Sequence, residues 1–232
     1  MRKQIIAWGG LGTNRRLLVE QYLLAQLRGT RPRVCFVPTA SGDADWSIDR
    51  FYRGFEKLGA RASHLPLFVQ KKKHVDLARL LSSQDAVYVG GGNTRNMLLL
   101  WKAWGVTETL RRAYERGVVL SGWSAGALCW FDGGLTDSFG PYAPMRALGW
   151  LSGSFCPHFD SESSRRAIYR RLIREGALAG GYAADDGVGL HFFDGRLHRV
   201  VASRKNARAR FITRARGRLV ESVCASELIS AM

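Results

Sequence analysis

Two hydrophobic rhythms alternate along the first half of this chain. Gln4 to Trp8 is a short apolar run that reads as a strand. Thr13 or Asn14 can cap a helix that follows, running through Leu17, Leu18, Tyr22, Leu23, Leu24 and Leu27 to a stop at Gly29. Arg33 to Pro38 is β-branched and aromatic and ends in the turn Pro38-Thr-Ala-Ser-Gly42. Trp46, Ile48, Phe51, Phe55 and Leu58 recur at helical spacing up to Gly59. His64 to Val69 reads as extended and Asp76 to Leu81 as a short helix. Ala86 to Val89 is a strand that ends in Gly90-Gly91-Gly92-Asn93. Helices over Thr94 to Trp104 and Thr107 to Arg116 lead to Val118–Leu120, a buried strand. This βαβα order predicts a mostly parallel sheet with helices on both faces, in one domain over residues 1–232. The last third changes character. Ala183 to Phe193, Arg196 to Ala202 and Arg208 to Glu221 read as strands, with Asp194-Gly195 and Arg216-Gly217 as hairpin turns.

Ligands of such sheets bind beyond the carboxyl ends of the strands, where both glycine-rich segments fall. Gly122-Trp123-Ser124-Ala125-Gly126 is the more informative of the two. A Gly-x-Ser-x-Gly run between a strand and a small, apolar helix start is a nucleophile elbow, a sharp turn that exposes the serine hydroxyl. The competing reading of the bare pattern is a glycine-rich turn, and the flanking strand and helix favour the elbow.

Composition narrows the setting. The 46% apolar and 23% charged residues are ordinary for a globular domain. The apolar run at the N-terminus is too short for a signal peptide, and no segment reaches membrane-spanning length, which predicts a cytoplasmic protein without a membrane partner. Cys35, Cys129, Cys156 and Cys224 are scattered, as expected for reduced, buried thiols and not for zinc or disulfides. The net charge of +16 comes from 28 arginines and 7 lysines against 19 acidic residues. Such a surface attracts polyanions. Yet neither Lys71-Lys72-Lys73 nor the Arg204–Arg218 stretch carries aromatic interleaving or a nucleic-acid motif, so no specific nucleic-acid partner is expected.

A serine hydroxyl needs a base to take its proton and an acid to orient that base. Among the five histidines, His74 sits beside three lysines, His191 and His198 flank a hairpin, and His64 opens an extended segment at the wrong end for chemistry. His158 follows the strand-like Leu151–Cys156 and Pro157, on a loop at the expected active edge. Asp137, Asp160, Asp185 and Asp186 are the loop acids from which its partner could come. An oxyanion hole would take one amide from Ala125 and another from Gly90-Gly91-Gly92, which lacks the pattern of a phosphate loop.

Val89-Gly-Gly-Gly-Asn93-Thr94, Gly122-Trp-Ser-Ala-Gly-Ala127 and Pro157-His158-Phe159, in this order, strongly resemble the peptidase E family of serine peptidases. That family comprises aspartyl dipeptidases, with cyanophycinases as relatives. The resemblance implies a flavodoxin-like α/β fold akin to the class I glutamine amidotransferases, with serine in place of cysteine at the elbow. It implies Ser124 as nucleophile, His158 as general base, and Gly91 or Gly92 with Ala125 as the oxyanion hole. Asp186, in Asp185-Asp186-Gly187, takes the place of the family's glutamate, with Asp137 as the second choice. Asn93 and Arg165 fall at substrate-binding positions, Arg165 as the cation for an acidic side chain. The competing reading makes Arg165 one surface charge on an arginine-laden helix. The loop between His158 and that helix is shorter than the family's usual one, which puts the aspartyl preference in question. The resemblance implies a small peptide as substrate; the serine mechanism needs no cofactor or metal, and the sequence leaves the assembly open, a homodimer included. The alternatives are a cyanophycinase-like or other small-amide hydrolase, and a basic, non-catalytic interaction protein on a hydrolase scaffold.

Overall fold

The computed structural model describes residues 2–12, 16–68 and 76–230. The first half follows the expected alternation. Strand β1 (Gln4–Trp8) leads to α1 (Leu18–Leu24), β2 (Arg33–Val37), a 3-10 turn at Thr39–Ser41, α2 (Asp45–Lys57) and β3 (Arg61–His64). Then come α3 (Leu77–Ser82), β4 (Ala86–Val89), α4 (Thr94–Ala103), α5 (Val106–Glu115) and β5 (Val119–Trp123). After the short helix α6 (Ala125–Leu128), the chain forms β6 (Phe131–Thr136), β7 (Ala143–Arg146), β8 (Leu151–Cys156) and α7 (Ser163–Glu175). It ends with β9 (Gly181–Ala184), β10 (Val188–Phe193), β11 (Arg196–Ala202), β12 (Ala209–Ala215), β13 (Arg218–Cys224) and β14 (Glu227–Leu228).

Among the described residues these strands make two sheets. The larger runs β14-β11-β10-β1-β5-β4-β2-β3, with β1, β5, β4, β2 and β3 all parallel. Helices cover both of its faces, as expected for strands that are apolar on both sides. Ile6, Trp8, Phe36 and Tyr88 pack against Val19, Leu23, Phe51 and Phe55 of α1 and α2. Alternate residues Ile5, Ala7, Val37, Val87 and Leu120 face Met97, Trp101 and Leu110 of α4 and α5. The second sheet, β13-β12-β9-β8-β6-β7, packs α7 through Tyr169, Leu172 and Ile173. This is a mixed α/β fold, consistent with the flavodoxin-like, glutamine amidotransferase-like architecture expected.

Several local expectations need revision. The run from Ala183 to Phe193 is two strands, β9 and β10, in different sheets, broken at Asp185-Asp186-Gly187 where Gly187 has φ +77°. The extended segment placed at His64–Val69 is β3 at Arg61–His64, so His64 closes the strand, and its Nδ1 meets the Tyr52 hydroxyl at 2.9 Å. Helix α1 ends at Leu24, short of Leu27. Its expected caps Thr13 and Asn14, the lysine triplet and His74 lie outside the described residues. Both hairpin turns are present: Asp194 and Gly195 (φ +49° and +78°) join β10 to β11, and Arg216 and Gly217 (φ +48° and +78°) join β12 to β13. Two successive positive φ values are what the right-handed strand twist asks of a two-residue turn.

Candidate active site

The carboxyl ends of β1, β2, β4 and β5 converge on one edge, and the site is built there. Ser124 directly follows β5 with φ +56° and ψ −116°, a conformation that a β-carbon resists. Its amide donates to the Trp8 carbonyl at 3.1 Å, which fixes the elbow across the end of β1. The flanking glycines are steric necessities. A β-carbon at Gly122 would overlap the Gly126 carbonyl, and one at Gly126 would overlap the Val89 carbonyl. Ala125 opens α6 immediately after the serine. Gly92 (φ +135°) passes so close to the Ala40 carbonyl that no side chain fits, and Gly91 lies under the Trp123 ring.

His158 comes from the other sheet, just after β8, with φ +54°. Its amide bonds the Gly9 carbonyl (3.2 Å), and the Gly187 amide bonds the Gly10 carbonyl (2.8 Å), so the loop after β1 ties both partners to the main sheet. His158 Nδ1 lies 2.7 Å from Asp186 Oδ1, with both side chains 19% exposed. Burial pushes the Asp186 carboxyl upward, but the hydrogen bond and charge of His158 outweigh it and hold the group below the usual carboxylate range. With Nδ1 engaged by a carboxylate, Nε2 is the ring nitrogen left to act as an acceptor. A cavity of about 530 Å³ is lined by Ser124, His158, Gly91, Gly92, Trp46 and Trp123, among others.

The four candidate acids take different places. Asp186 meets the histidine. Its neighbour Asp185 turns into the second sheet, accepting from the Arg208 amide (2.9 Å) and pairing with Arg210 (3.2 Å), and burial raises its pKa. Asp160 accepts from the Asp186 amide at 2.8 Å and pairs with Arg204, which also donates to the Asp186 carbonyl (3.0 Å). Asp137 lines the cavity, largely exposed, 3.9 Å from Arg165 and with no bond to His158.

Arg165 is not the surface charge of the competing reading: it is 3% exposed and its side chain reaches the cavity wall. Its Nε donates to Glu162 Oε2 at 2.6 Å, its NH1 to the Leu135 carbonyl at 3.2 Å, and its guanidinium stacks over the Tyr142 ring at 4.8 Å. Asn93 also borders the cavity, but its side chain caps α4, accepting from the Asn96 amide (2.9 Å) and donating to the Ser138 carbonyl (3.2 Å). Sequence reading missed the Gly9-Gly10 loop, Glu162, Tyr142, Trp46, Ser138 and Arg204. Only Gly9-Gly10 carried a signal, a glycine pair at a strand's carboxyl end. Among the described residues no cluster of three potential metal ligands exists, and no helix is long and apolar enough to cross a membrane. All four cysteines are free. Burial pushes the Cys35 and Cys156 thiols up to about 12.

Known structures share this architecture. A peptidase from an acI-B1 Actinobacterium superposes with TM-score 0.71 at 18% identity, over 97% of this chain and 95% of the other. A putative peptidase E protein from Listeria monocytogenes gives 0.57 at 17% identity, over 97% and 100%. At that identity the likeness concerns the fold, an α/β architecture of the peptidase E type. The family model of peptidase family S51 matches residues 5–200, and the chain is 50% identical over 210 residues to the uncharacterized peptidase YgaJ of Bacillus subtilis, covering 89% of this chain and 90% of that one. The chain belongs to peptidase family S51.

Proposed function

We propose that this peptidase is a serine dipeptidase that hydrolyses short peptides with a free N-terminus. The observation that carries the reading is the strained Ser124 turn bordering the same cavity as His158, whose Nδ1 is held from outside that cavity by Asp186. In this reading Ser124 Oγ attacks the scissile carbonyl while His158 Nε2 takes its proton. The charge that develops on the imidazole is balanced by Asp186, ionised throughout. The oxyanion is held by the amide of Ala125 and that of Gly91 or Gly92. Collapse of the tetrahedral intermediate passes the proton from His158 to the leaving amine. Water, activated by the same histidine, then hydrolyses the acyl-enzyme. No step calls for a metal or organic cofactor.

A length and blocking series tests this reading. The expected result is rapid hydrolysis of unblocked dipeptides, little of their N-acetylated forms, and falling rates from tripeptides onward. Equal rates on long or blocked peptides would exclude a dipeptidase.

A further inference from the structure

The cavity wall formed by β6, its following loop and α7 carries three charged side chains: Asp137, Glu162 and Arg165. Arg165 is the lone cation among them, and its guanidinium is already engaged by Glu162 and Leu135 with Asp137 at 3.9 Å. Glu162 is bound twice, accepting from Arg165 Nε and from the Tyr142 hydroxyl. Burial pushes the Glu162 carboxyl upward, but those two hydrogen bonds and the arginine's charge override it, so it stays ionised. Two carboxylates against one guanidinium leave this wall with a net negative charge. The next arginine, Arg166, offers no substitute, because it donates to the Phe159 carbonyl (2.7 Å) and lies over the Phe159 ring (5.5 Å). The same cavity is also lined by aromatic side chains, Trp123 and the 60% exposed Trp46.

We propose that Glu162 is a specificity-determining residue: by occupying Arg165 it bars acidic side chains from the pocket and makes the protein select peptides whose first residue is neutral or basic. This rests on the serine-peptidase reading above and departs from the aspartyl preference that the family resemblance implies. The physical cause is repulsion built into the site. An incoming carboxylate must displace Glu162 from the guanidinium or sit beside two like charges, whereas an apolar side chain meets tryptophan and a cationic one meets carboxylates.

Binding, separated from turnover, tests it. The Ser124→Ala protein is titrated calorimetrically with Asp-Leu, Leu-Leu and Lys-Leu. Leu-Leu and Lys-Leu are expected to bind at least about tenfold more tightly than Asp-Leu, a gap of the size one unfavourable charge contact produces. Adding Glu162→Gln, which removes the charge, or Glu162→Ala, which also frees Arg165 Nε, is expected to strengthen Asp-Leu binding by about tenfold. Asp137→Asn shifts it the same way by less. Tightest binding of Asp-Leu, an affinity for it unmoved by either Glu162 variant, or no binding of any peptide would overturn the proposal. Wild-type turnover measured alongside separates the two readings. Selective binding without hydrolysis supports the selectivity and sinks the peptidase mechanism; hydrolysis confined to Asp-Leu does the reverse.

Discussion

Replacing Asp186 by asparagine changes one oxygen to an amide nitrogen and leaves the shape of the site intact. The carboxylate accepts from His158 Nδ1 at 2.7 Å where both side chains are 19% exposed, so water replaces only part of what is lost. Two effects add. The charge that stabilises the imidazolium disappears, and the asparagine amide, donating to Nδ1, moves the ring proton to Nε2, where it blocks acceptance of the serine proton. Removing a charge-assisted hydrogen bond alone costs about 1.5–3 kcal/mol. With the tautomer inverted as well, the barrier should rise by about 4–5 kcal/mol, a fall in kcat of roughly 10³–10⁴. Steady-state kinetics on a good dipeptide, with the melting temperature recorded in parallel, reads this directly. KM should hold within about threefold, because Asp186 does not line the substrate cavity. Asp137→Asn should instead act on KM and leave kcat within about threefold, since Asp137 lines the cavity and does not bond His158. A kcat of Asp186→Asn within tenfold of the wild type, or a loss of three decades in Asp137→Asn instead, would show that Asp186 does not orient His158.

Three further outcomes follow from the same geometry. Gly10→Ala places a β-carbon where the Asp186 carboxylate and the His158 ring now lie, so kcat should fall about a hundredfold by displacement of the pair, with circular dichroism unchanged. Arg204→Ala loosens the Asp160–Arg204 clamp on the Asp186 backbone and should lower kcat by about tenfold without raising KM, with partial recovery in Arg204→Lys. His191 is buried and bonded to the Tyr22 hydroxyl (2.9 Å) and Gln4 (3.0 Å), and burial, reinforced by His198 and Arg199, lowers its pKa to about 4. A depressed folded pKa contributes stability that is complete above the unfolded value near 6.5 and is lost as pH falls toward 4; between pH 7 and 5 urea denaturation should show a loss of about 2 kcal/mol, absent in His191→Gln.

The parallel half of the fold was legible because its apolar runs, helical spacings and terminal glycines all agree. The second sheet was legible only in part: β8 and the β12–β13 hairpin were readable, β6 and β7 were not. Strand β6 reads Phe-Asp-Gly-Gly-Leu-Thr, which looks like a turn, yet Gly133 and Gly134 are there because the Met145 and Phe155 carbonyls approach too closely for any β-carbon. Strand β7 contains a proline at position 144 and is an edge strand, where the missing donor is tolerated. The merging of β9 and β10 into one run has the same origin: the local pattern is extended on both sides of Asp185-Asp186-Gly187, and only the two-sheet topology breaks it. That break carries Asp186 to His158. Ser124 and His158 could be singled out because each follows a readable strand. Glu162, Tyr142 and Arg204 carry no signature, because their partners are set by long-range packing.

Comparing kcat/KM for one unblocked dipeptide between the wild type and Ser124→Ala at matched melting temperature shows whether Ser124 is the nucleophile. A loss of about 10⁴-fold or more with the fold intact is expected, since neither His158 nor the glycine amides can form the acyl bond. Ser124→Ala activity within tenfold of the wild type would contradict that role.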